Sequence, residues 1–405
     1  MRSLMMGAAA AALVTGAAQA RVLTVTPGGD AQEKVQTALL DAKPGDVVQI
    51  AAGRYDLTDG LSLDVAGVTV RGAGPAATIL SFKGQKGSGE GLLITSNRVT
   101  VRDLAVEDAR GDGIKAKGVD QISFLNVRVE WTGGPKETNG GYGVYPVSST
   151  NVLIDKVNVK GASDAGIYVG QSKNIVVKNS TAQFNVAGIE IENSMNADVH
   201  ENLSTHNAGG ILVFDLPGLP QMGGHSTRVF ANKVVDNDTP NFAPKGNIVA
   251  RVPTGTGIML MANRDVHVFG NQIDGNASAA VMLIAYSLDY TDTTYDPLPR
   301  DIVVRDNQIG RNGWDPQFPG GKQVAQAMGG KVPPVIWDGI DNYTRKGATQ
   351  PEHVNVRITD GPVMNLHLAT PGDLMTAKPE VKPSVAGSPV TEPSPVVLPK
   401  GQASL

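Results

Sequence analysis

A repeat of about 22 residues constrains the fold of this chain more than any other feature of its sequence. Short segments that alternate apolar and polar residues recur along the chain. In its compact part they start 22 or 23 positions apart, as from Val152 to Ile175 and from Ile175 to Ala197. Longer spacings imply inserted loops. The clearest copies are residues 98–104, 151–157, 174–180, 265–271 and 301–307.

A second element follows the first after 14 or 15 residues in the compact repeats. Both elements alternate over four to six positions and are rich in β-branched residues, which is strand periodicity. The 48 glycines among 405 residues show no collagen period and fit a chain that turns often. The sequence therefore predicts an all-β, single-stranded parallel solenoid. The first Ile or Val in the successive copies of the second element is Ile114, Val144, Ile167, Ile189, Ile211, Ile258 or Val281.

Asparagine recurs twice in each coil, just after the first strand and again five or six residues later. Asn tolerates left-handed backbone angles at turns, and stacked copies can form amide ladders. We therefore predict a structural role for these residues rather than ligand binding. They are Asn126, Asn179, Asn202, Asn232, Asn271 and Asn307 in the first set, and Asn185, Asn207, Asn237, Asn276 and Asn312 in the second.

Residues 1–20 have the pattern of a secretory signal peptide. Arg2 supplies a positive start, residues 4–16 are apolar, and Ala18-Gln19-Ala20 is a small-residue cleavage site. The sequence thus predicts cleavage after Ala20, a periplasmic or secreted location and no membrane span. With no Cys in the chain, a lipid anchor, disulfides and Cys-based metal sites are excluded.

The two ends of the folded part also have distinct patterns. A strand from Val22 and an amphipathic helix from Asp30 to Ala42 predict a cap over the first coil, with Asp30 and Glu33 as a capping box. From Pro371 onward prolines are frequent and apolar periodicity ends. We therefore expect a β-helix domain over 21–370 and a Pro-rich flexible tail over 371–405.

The start of this domain resembles the right-handed parallel β-helix proteins of the pectin-lyase-like superfamily. The likeness rests on the helix, on Pro44-Gly45-Asp46, on Ala52-Gly53-Arg54-Tyr55 and on residues 68–74. The Asn and Gly-Ile repeats resemble NosD-like and sugar-hydrolase β-helix repeats. The layout also resembles a bacterial envelope family that occurs with a companion secreted protein. The resemblance implies a right-handed helix and, in many relatives, lyases, hydrolases or epimerases of polysaccharides.

Side chains that follow the inward Ile or Val of the second strand should point outward and line one face. A lyase or epimerase of an acidic polysaccharide needs a cation for the uronate carboxylate, a base for the C5 proton and an acid for the leaving oxygen. A phenol could act as that base if a nearby cation lowers its pKa. We assign catalysis to Lys115, Tyr145, Tyr168 and Glu190. Substrate contacts are assigned to Asp112, Trp131, Tyr142, Asp164, Glu192 and Asp215.

A glycoside hydrolase would instead use two carboxylates on neighbouring coils, such as Asp164 and Glu190. Stacked coils offer both the retaining and the inverting spacing, so this alternative stays open. The sequence lacks the motif sets of polygalacturonases, the Asp-Pro-His of alginate epimerases and the Arg-x-Pro-x-x-Arg of pectate lyases.

Two metal hypotheses arise from other residues. The sequence assigns no metal ligand or cofactor with certainty, but it leaves Ca²⁺ open at the acidic loop containing Asp289, Asp292 and Asp296. A copper accessory role, as in NosD-like proteins, would draw on soft ligands. Those candidates are Met222, His225, Met259, Met261 and Met282.

The charge composition of the chain limits the classes of partner that it can bind. Acidic residues outnumber basic ones, 39 to 35, which disfavours nonspecific nucleic-acid binding. We predict a protein that binds, and in the fuller form cleaves or epimerises, a polysaccharide in a groove over the second-strand face. The rival prediction is a noncatalytic envelope scaffold that docks a partner protein through an exposed apolar patch. That patch would comprise Leu212, Phe214, Met259, Met261, Met282 and Ile284.

Overall fold

A computed structural model describes residues 20–87 and 89–402 as a right-handed parallel β-helix. The predicted signal peptide, residues 1–20, lies outside the described residues except for Ala20. Most coils contribute three short strands, one more than the sequence predicts, because a strand of two or three residues lies between the two asparagine positions. In the described part of the chain, no helix is long and apolar enough to cross a bilayer.

The strands stack into three faces. The first face contains Val22–Val25, Val47–Ile50, Thr69–Arg71, Val99–Glu107, Asp120–Glu130, Thr150–Asp155, Lys173–Lys178, Met195–His200, His225–Phe230, Arg264–Phe269, Arg300–Arg305 and Val356–Ile358. The long strands Val99–Glu107 and Asp120–Glu130 continue into the second face. It also contains Gly53–Asp56, Thr78–Ser81, Asn158–Lys160, Thr181–Gln183, Leu203–Thr205, Lys233–Val235, Gln272–Asp274 and Gln308–Ile309.

The third face, here called the Gly-Ile face, carries the second element of the sequence repeat. Its strands are Leu61–Leu63, Leu92–Ile94, Ile114–Lys117, Tyr142–Val147, Ala165–Gly170, Ala187–Glu192, Gly209–Phe214, Thr256–Met261, Ala279–Ile284, Val335–Trp337, Val363–Asn365 and Glu380–Lys382. Outside the three faces lie the helices Ala31–Asp41 and Gly321–Ala327, the 3₁₀ turns Ile248–Arg251 and Leu374–Thr376, and the hairpin strands Asn342–Tyr343 and Glu352–His353.

Inward side chains of the Gly-Ile face form an aliphatic column. In parallel register, Ile114 pairs with Val144, Val144 with Ile167, and Ile167 with Ile189. All four are fully buried. Because alternation then points the following residues outward, the register that the sequence predicts for this face is confirmed.

Two buried asparagine ladders hold the coils together at the corners of the second face. In the second ladder, for example, the side-chain amide of Asn207 donates to Asn237 Oδ1 at 3.1 Å. The ladders run through Asn202, Asn232, Asn271 and Asn307, and through Asn185, Asn207, Asn237, Asn276 and Asn312. Asn126 and Asn179 stand outside them, at left-handed corner positions where they donate to Asp103 and Asp155.

The predicted cap is present as the helix Ala31–Asp41, which buries Val35 and Leu39 against the first coil. The predicted capping box is wrong. The Asp30 side chain makes no capping hydrogen bond and instead pairs with Lys34 at 2.9 Å, one turn along the helix.

The Pro-rich segment runs back along the outside of the first face. Glu392 pairs with Arg228 at 3.0 Å and with Arg305 at 2.7 Å, and Gln402 Nε2 donates to the Asn151 carbonyl at 2.9 Å. Composition alone predicts a flexible extension here. Composition does not reveal the surface against which this segment packs. Val396 and Leu398 contact outward apolar residues of the coils, which are Leu125, Leu153 and Val176.

Candidate functional site

The candidate site is formed by outward side chains on four successive coils of the Gly-Ile face. The register places Lys115 beside Tyr145 and, two coils further, Tyr168 beside Glu190. Two positions along the same strands, Gly170 lies beside Glu192. The residues that the sequence assigns to catalysis therefore lie on one face of the β-helix.

Lys115 lies at the N-terminal end of this row and is already paired. Its Nζ is 2.9 Å from Glu90 Oε1, 3.3 Å from Asp112 Oδ2 and 4.7 Å from the centre of the Tyr145 ring. The sequence predicts Lys115 as the cation for a substrate carboxylate. In the structure, two carboxylates of the protein already pair with its ammonium group, in the place where a substrate carboxylate would bind.

Three tyrosine rings continue the row. The ring centre of Tyr142 is 4.4 Å from those of both Tyr145 and Tyr168, and Tyr145 and Tyr168 meet edge to face at 4.9 Å. Tyr142 and Tyr145 are half-buried, whereas Tyr168 is 4% exposed. The cluster is therefore open to solvent at its Tyr142–Tyr145 end and closed at Tyr168.

Tyr168 connects the aromatic cluster to the buried acids. Its hydroxyl donates to Glu192 Oε1 at 2.6 Å. The ring reaches Glu192 by lying over Gly170, where a Cβ would fall 2.5 Å from the Tyr168 hydroxyl oxygen. Only glycine leaves room for this hydrogen bond.

Gly170→Ala is expected to displace the Tyr168 ring and to lower the free energy of unfolding by about 1–3 kcal/mol, as overpacking does in close-packed sites. Chemical denaturation checks this. Gly29→Ala is the matched control, because a Cβ at Gly29 meets no atom within 4 Å. Equal stabilities of the two variants would contradict the packing of Tyr168 on Gly170.

Asp164 and Glu190 complete the buried acid group beneath a loop. Asp164 is 7% exposed and its Oδ2 accepts from Asn247 Nδ2 at 2.9 Å. Glu190 is fully buried, and neither carboxyl oxygen has a hydrogen-bond partner. Val249 and Val252, in the same loop as Asn247, pack in the apolar cluster that contains Tyr168.

Burial keeps the acids and phenols of this group protonated to unusually high pH. Burial, reinforced by neighbouring carboxylates, raises the pKa of Asp164 to about 7 and that of Glu192 to about 7. The same causes raise the pKa of Glu190 well above its ordinary value. Burial also raises the pKa of Tyr145 to about 12, despite the opposing effect of Lys115, and raises that of Tyr168. A raised pKa disfavours the phenolate form that a tyrosine base would require.

Two predicted substrate-binding residues have structural roles. Trp131 is 4% exposed in the main core, and its indole Nε1 donates to the Ala109 carbonyl at 2.7 Å. Asp215 is 1% exposed and accepts from the backbone amides of Gly223 and Gly224 at 3.0 and 2.7 Å. Neither side chain reaches the open surface.

The apolar half of the Gly-Ile face is covered by loops of this chain. Leu212, Phe214, Met259, Met261 and Met282 are at most 5% exposed, and Ile284 is half-buried. Covering residues include Val249, Val252, Tyr286, Tyr295 and Leu298. The exposed apolar patch that the rival docking hypothesis requires is therefore not formed by these residues.

The acidic loop proposed for Ca²⁺ is internally bonded. Asp292 Oδ1 accepts from the Thr294 backbone amide at 2.8 Å, and Asp296 pairs with Arg300. Across residues 20–87 and 89–402, no three Asp, Glu or His side chains are grouped closely enough to hold a metal ion.

Three residues of the site were not singled out from the sequence. Glu90 and Asn247 come from irregular segments, and only the folded loops bring them to Lys115 and Asp164. Gly170 carried a signal that could have been used, because it stands two residues after Tyr168, where every neighbouring coil has a side chain.

Comparisons with known proteins agree with the fold. The family model described as the right handed beta helix region matches residues 66–219. No curated protein matches the sequence.

Similar solved structures include enzymes with polysaccharide substrates in their names. The A-module of the mannuronan C-5 epimerase AlgE4 of Azotobacter vinelandii is 16% identical with a TM-score of 0.49, over 70% of this chain and 85% of that one. An alginate lyase of Paenibacillus is 16% identical with a TM-score of 0.38, over 72% and 96%. At this identity the likeness concerns the fold alone.

Proposed function

We propose that the Gly-Ile face binds a polysaccharide and acts on it by proton transfer from the tyrosine and carboxyl group described above. The observation that carries the proposal is the short hydrogen bond from Tyr168 to Glu192, next to the unpartnered Glu190. A buried, unpartnered carboxyl destabilises a fold, so its presence beside aromatic rings points to chemistry. The open rings of Tyr142 and Tyr145 supply a surface on which sugar rings can stack.

The chemistry follows from which groups hold protons. Glu192, with a pKa of about 7, is suited to accept a proton near neutral pH, and Tyr168 remains protonated. In a lyase reaction, the base removes the C5 proton, the bond from C4 to the leaving oxygen breaks, a C4–C5 double bond forms, and the acid protonates the leaving oxygen. In an epimerase, the proton returns to the opposite face of C5. Both reactions require a uronate unit, whose carboxyl group makes the C5 proton acidic. On other sugars the same groups would act in hydrolysis: the acid protonates the glycosidic oxygen, the bond from C1 to that oxygen breaks, and the base takes a proton from the water that bonds to C1. The predicted signal peptide would place this activity in the periplasm or outside the cell.

The test is a screen of the chain that begins at Arg21 against acidic and neutral glycans. Ultraviolet absorbance detects unsaturated lyase products, reducing-end assays detect hydrolysis, and proton NMR detects epimerisation. We expect turnover or binding with at least one glycan class. Absence of turnover with every glycan, together with an unchanged melting temperature, would overturn the proposal.

Where turnover is found, Glu192→Gln and Tyr168→Phe are expected to lower kcat by at least about 100-fold, a loss typical of removing a general acid or base. Glu201→Gln is the matched control, because the Glu201 carboxylate is 58% exposed and pairs only with His200. Retained activity in Glu192→Gln would remove Glu192 from the mechanism.

A further inference from the structure

The balance of charges at this site is acidic. Five carboxyl groups line it, at Glu90, Asp112, Asp164, Glu190 and Glu192, and within residues 20–87 and 89–402 Lys115 is the one cation paired with any of them. Among the described residues, no salt bridge involves Asp164, Glu190 or Glu192. Burial favours the protonated form of these acids, and an incoming positive charge would favour their ionised form through charge-assisted hydrogen bonds.

We propose that the glycan bound by this face carries free, protonated amino groups. This inference rests on the proposed function and specifies the substrate class of the same site. It reverses the expectation of an acidic polysaccharide that the sequence alone gives.

Lys115 shows how this surface holds an ammonium group. Its Nζ is bound by two carboxylates and lies over the Tyr145 ring, the combination of charge and aromatic face by which proteins recognise amines. Further along the face, Tyr168, Glu190 and Glu192 again combine an aromatic ring with carboxyl groups, and in the described part of the chain no cation pairs with these carboxyls.

Glu190 is the independent sign of a missing ligand. It is fully buried, both of its carboxyl oxygens lack partners, and it lies near enough to Glu192 and Asp164 to feel their charges. On the preceding coil, the side-chain nitrogen of Asn247 donates to Asp164 Oδ2 at 2.9 Å. An amine entering here would replace this amide and gain charge-assisted hydrogen bonds.

A uronate meets the opposite conditions. Its carboxylate would compete with Glu90 and Asp112 for Lys115 and would face further acids of the same sign. Like charges at close range disfavour binding, most strongly where water is excluded. Metal ions are a weaker occupant, because the described residues include no group of three acids or histidines arranged around one point.

Three oligosaccharides of equal length test the inference, with calorimetry at low salt and near neutral pH, where the acid group is partly ionised. They are a fully deacetylated glucosamine hexamer, its N-acetylated counterpart and a galacturonate hexamer. The first two differ only in the amine, so the acetylated sugar is the matched control. We expect the deacetylated hexamer to bind at least tenfold more tightly than either of the others, and added salt to weaken this binding.

The outcomes separate the two proposals. Equal binding of the deacetylated and acetylated hexamers, or preference for galacturonate, overturns the amine inference and leaves polysaccharide binding standing. No binding of any hexamer, with no response in the wider glycan screen, overturns both. Binding only of added Ca²⁺, abolished by chelator, would assign the acid group to a metal and also overturn the inference.

A variant locates the effect. Glu192→Gln is expected to weaken binding of the deacetylated hexamer at least tenfold more than binding of the acetylated hexamer, whereas Glu201→Gln should change neither. If Glu192→Gln lowers the melting temperature, the ratio between the two hexamers still reports charge recognition in the folded fraction. An unchanged ratio would overturn the assignment to this acid group.

Discussion

The free energy of unfolding should fall by several kcal/mol as the pH rises from about 5 to about 8. Asp164 and Glu192 have a pKa of about 7 when folded, and carboxyls of the unfolded chain titrate near pH 4. Between these values the folded state binds more protons than the unfolded state, so raising the pH favours unfolding. Between the unfolded and folded pKa values, each of these groups lowers the free energy of unfolding by about 1.4 kcal/mol per pH unit. Glu190 acts in the same direction.

Urea denaturation at the two pH values measures this loss. The double variant Asp164→Asn with Glu192→Gln should lose much less stability, because amides do not titrate, while Glu201→Gln should behave like the parent. Part of the loss should remain, since burial also raises the pKa of Asp338 to about 7 and of Asp215 to about 6. Equal stability of the parent chain at both pH values would show that the acid group is solvated.

The alternation of side chains made the fold predictable. Because residues of a strand point alternately inward and outward, the run of Ile and Val entries fixed which side chains face out, and Lys115, Tyr145, Tyr168 and Glu190 do so. The extra strand of most coils escaped prediction because two or three residues are too few for a periodic signal. The sequence predicts left-handed backbone angles at the asparagines themselves. In the ladders these angles occur one residue earlier, as at Glu201 before Asn202.

The site was less predictable because burial depends on loops. Tyr168 and Glu190 follow the outward pattern, yet the loop containing Asn247 closes over them. Loops also bury the apolar half of the face, which the rival prediction from the sequence treats as an exposed docking patch. Trp131 belongs to an insertion, so no strand register predicted that its ring turns into the core.

The second large effect is expected at the middle of an asparagine ladder. Asn207 is fully buried, its Oδ1 accepts from the backbone and side chain of Asn185 at 3.0 Å, and its Nδ2 donates to the Ala182 carbonyl at 3.0 Å and to Asn237. Asn207→Ala would remove the acceptor of the buried Asn185 backbone N–H and one acceptor of the Asn185 side-chain amide. Each orphaned group costs about 1–3 kcal/mol, so a total loss of about 3–5 kcal/mol is expected.

Chemical denaturation of Asn207→Ala and of Asn158→Ala compares their losses of stability. The difference separates the contribution of the ladder from that of one half-buried amide side chain. Asn158 occupies a half-buried strand position on the same face and outside both ladders. We expect its replacement to cost less than about 1 kcal/mol. If the two variants were equally stable, the ladder would contribute no more than a half-exposed side chain, and the stacked aliphatic column alone would hold the coils in register. A larger loss in Asn207→Ala assigns that role to hydrogen bonds that repeat from coil to coil, which also explains why this chain needs no disulfide.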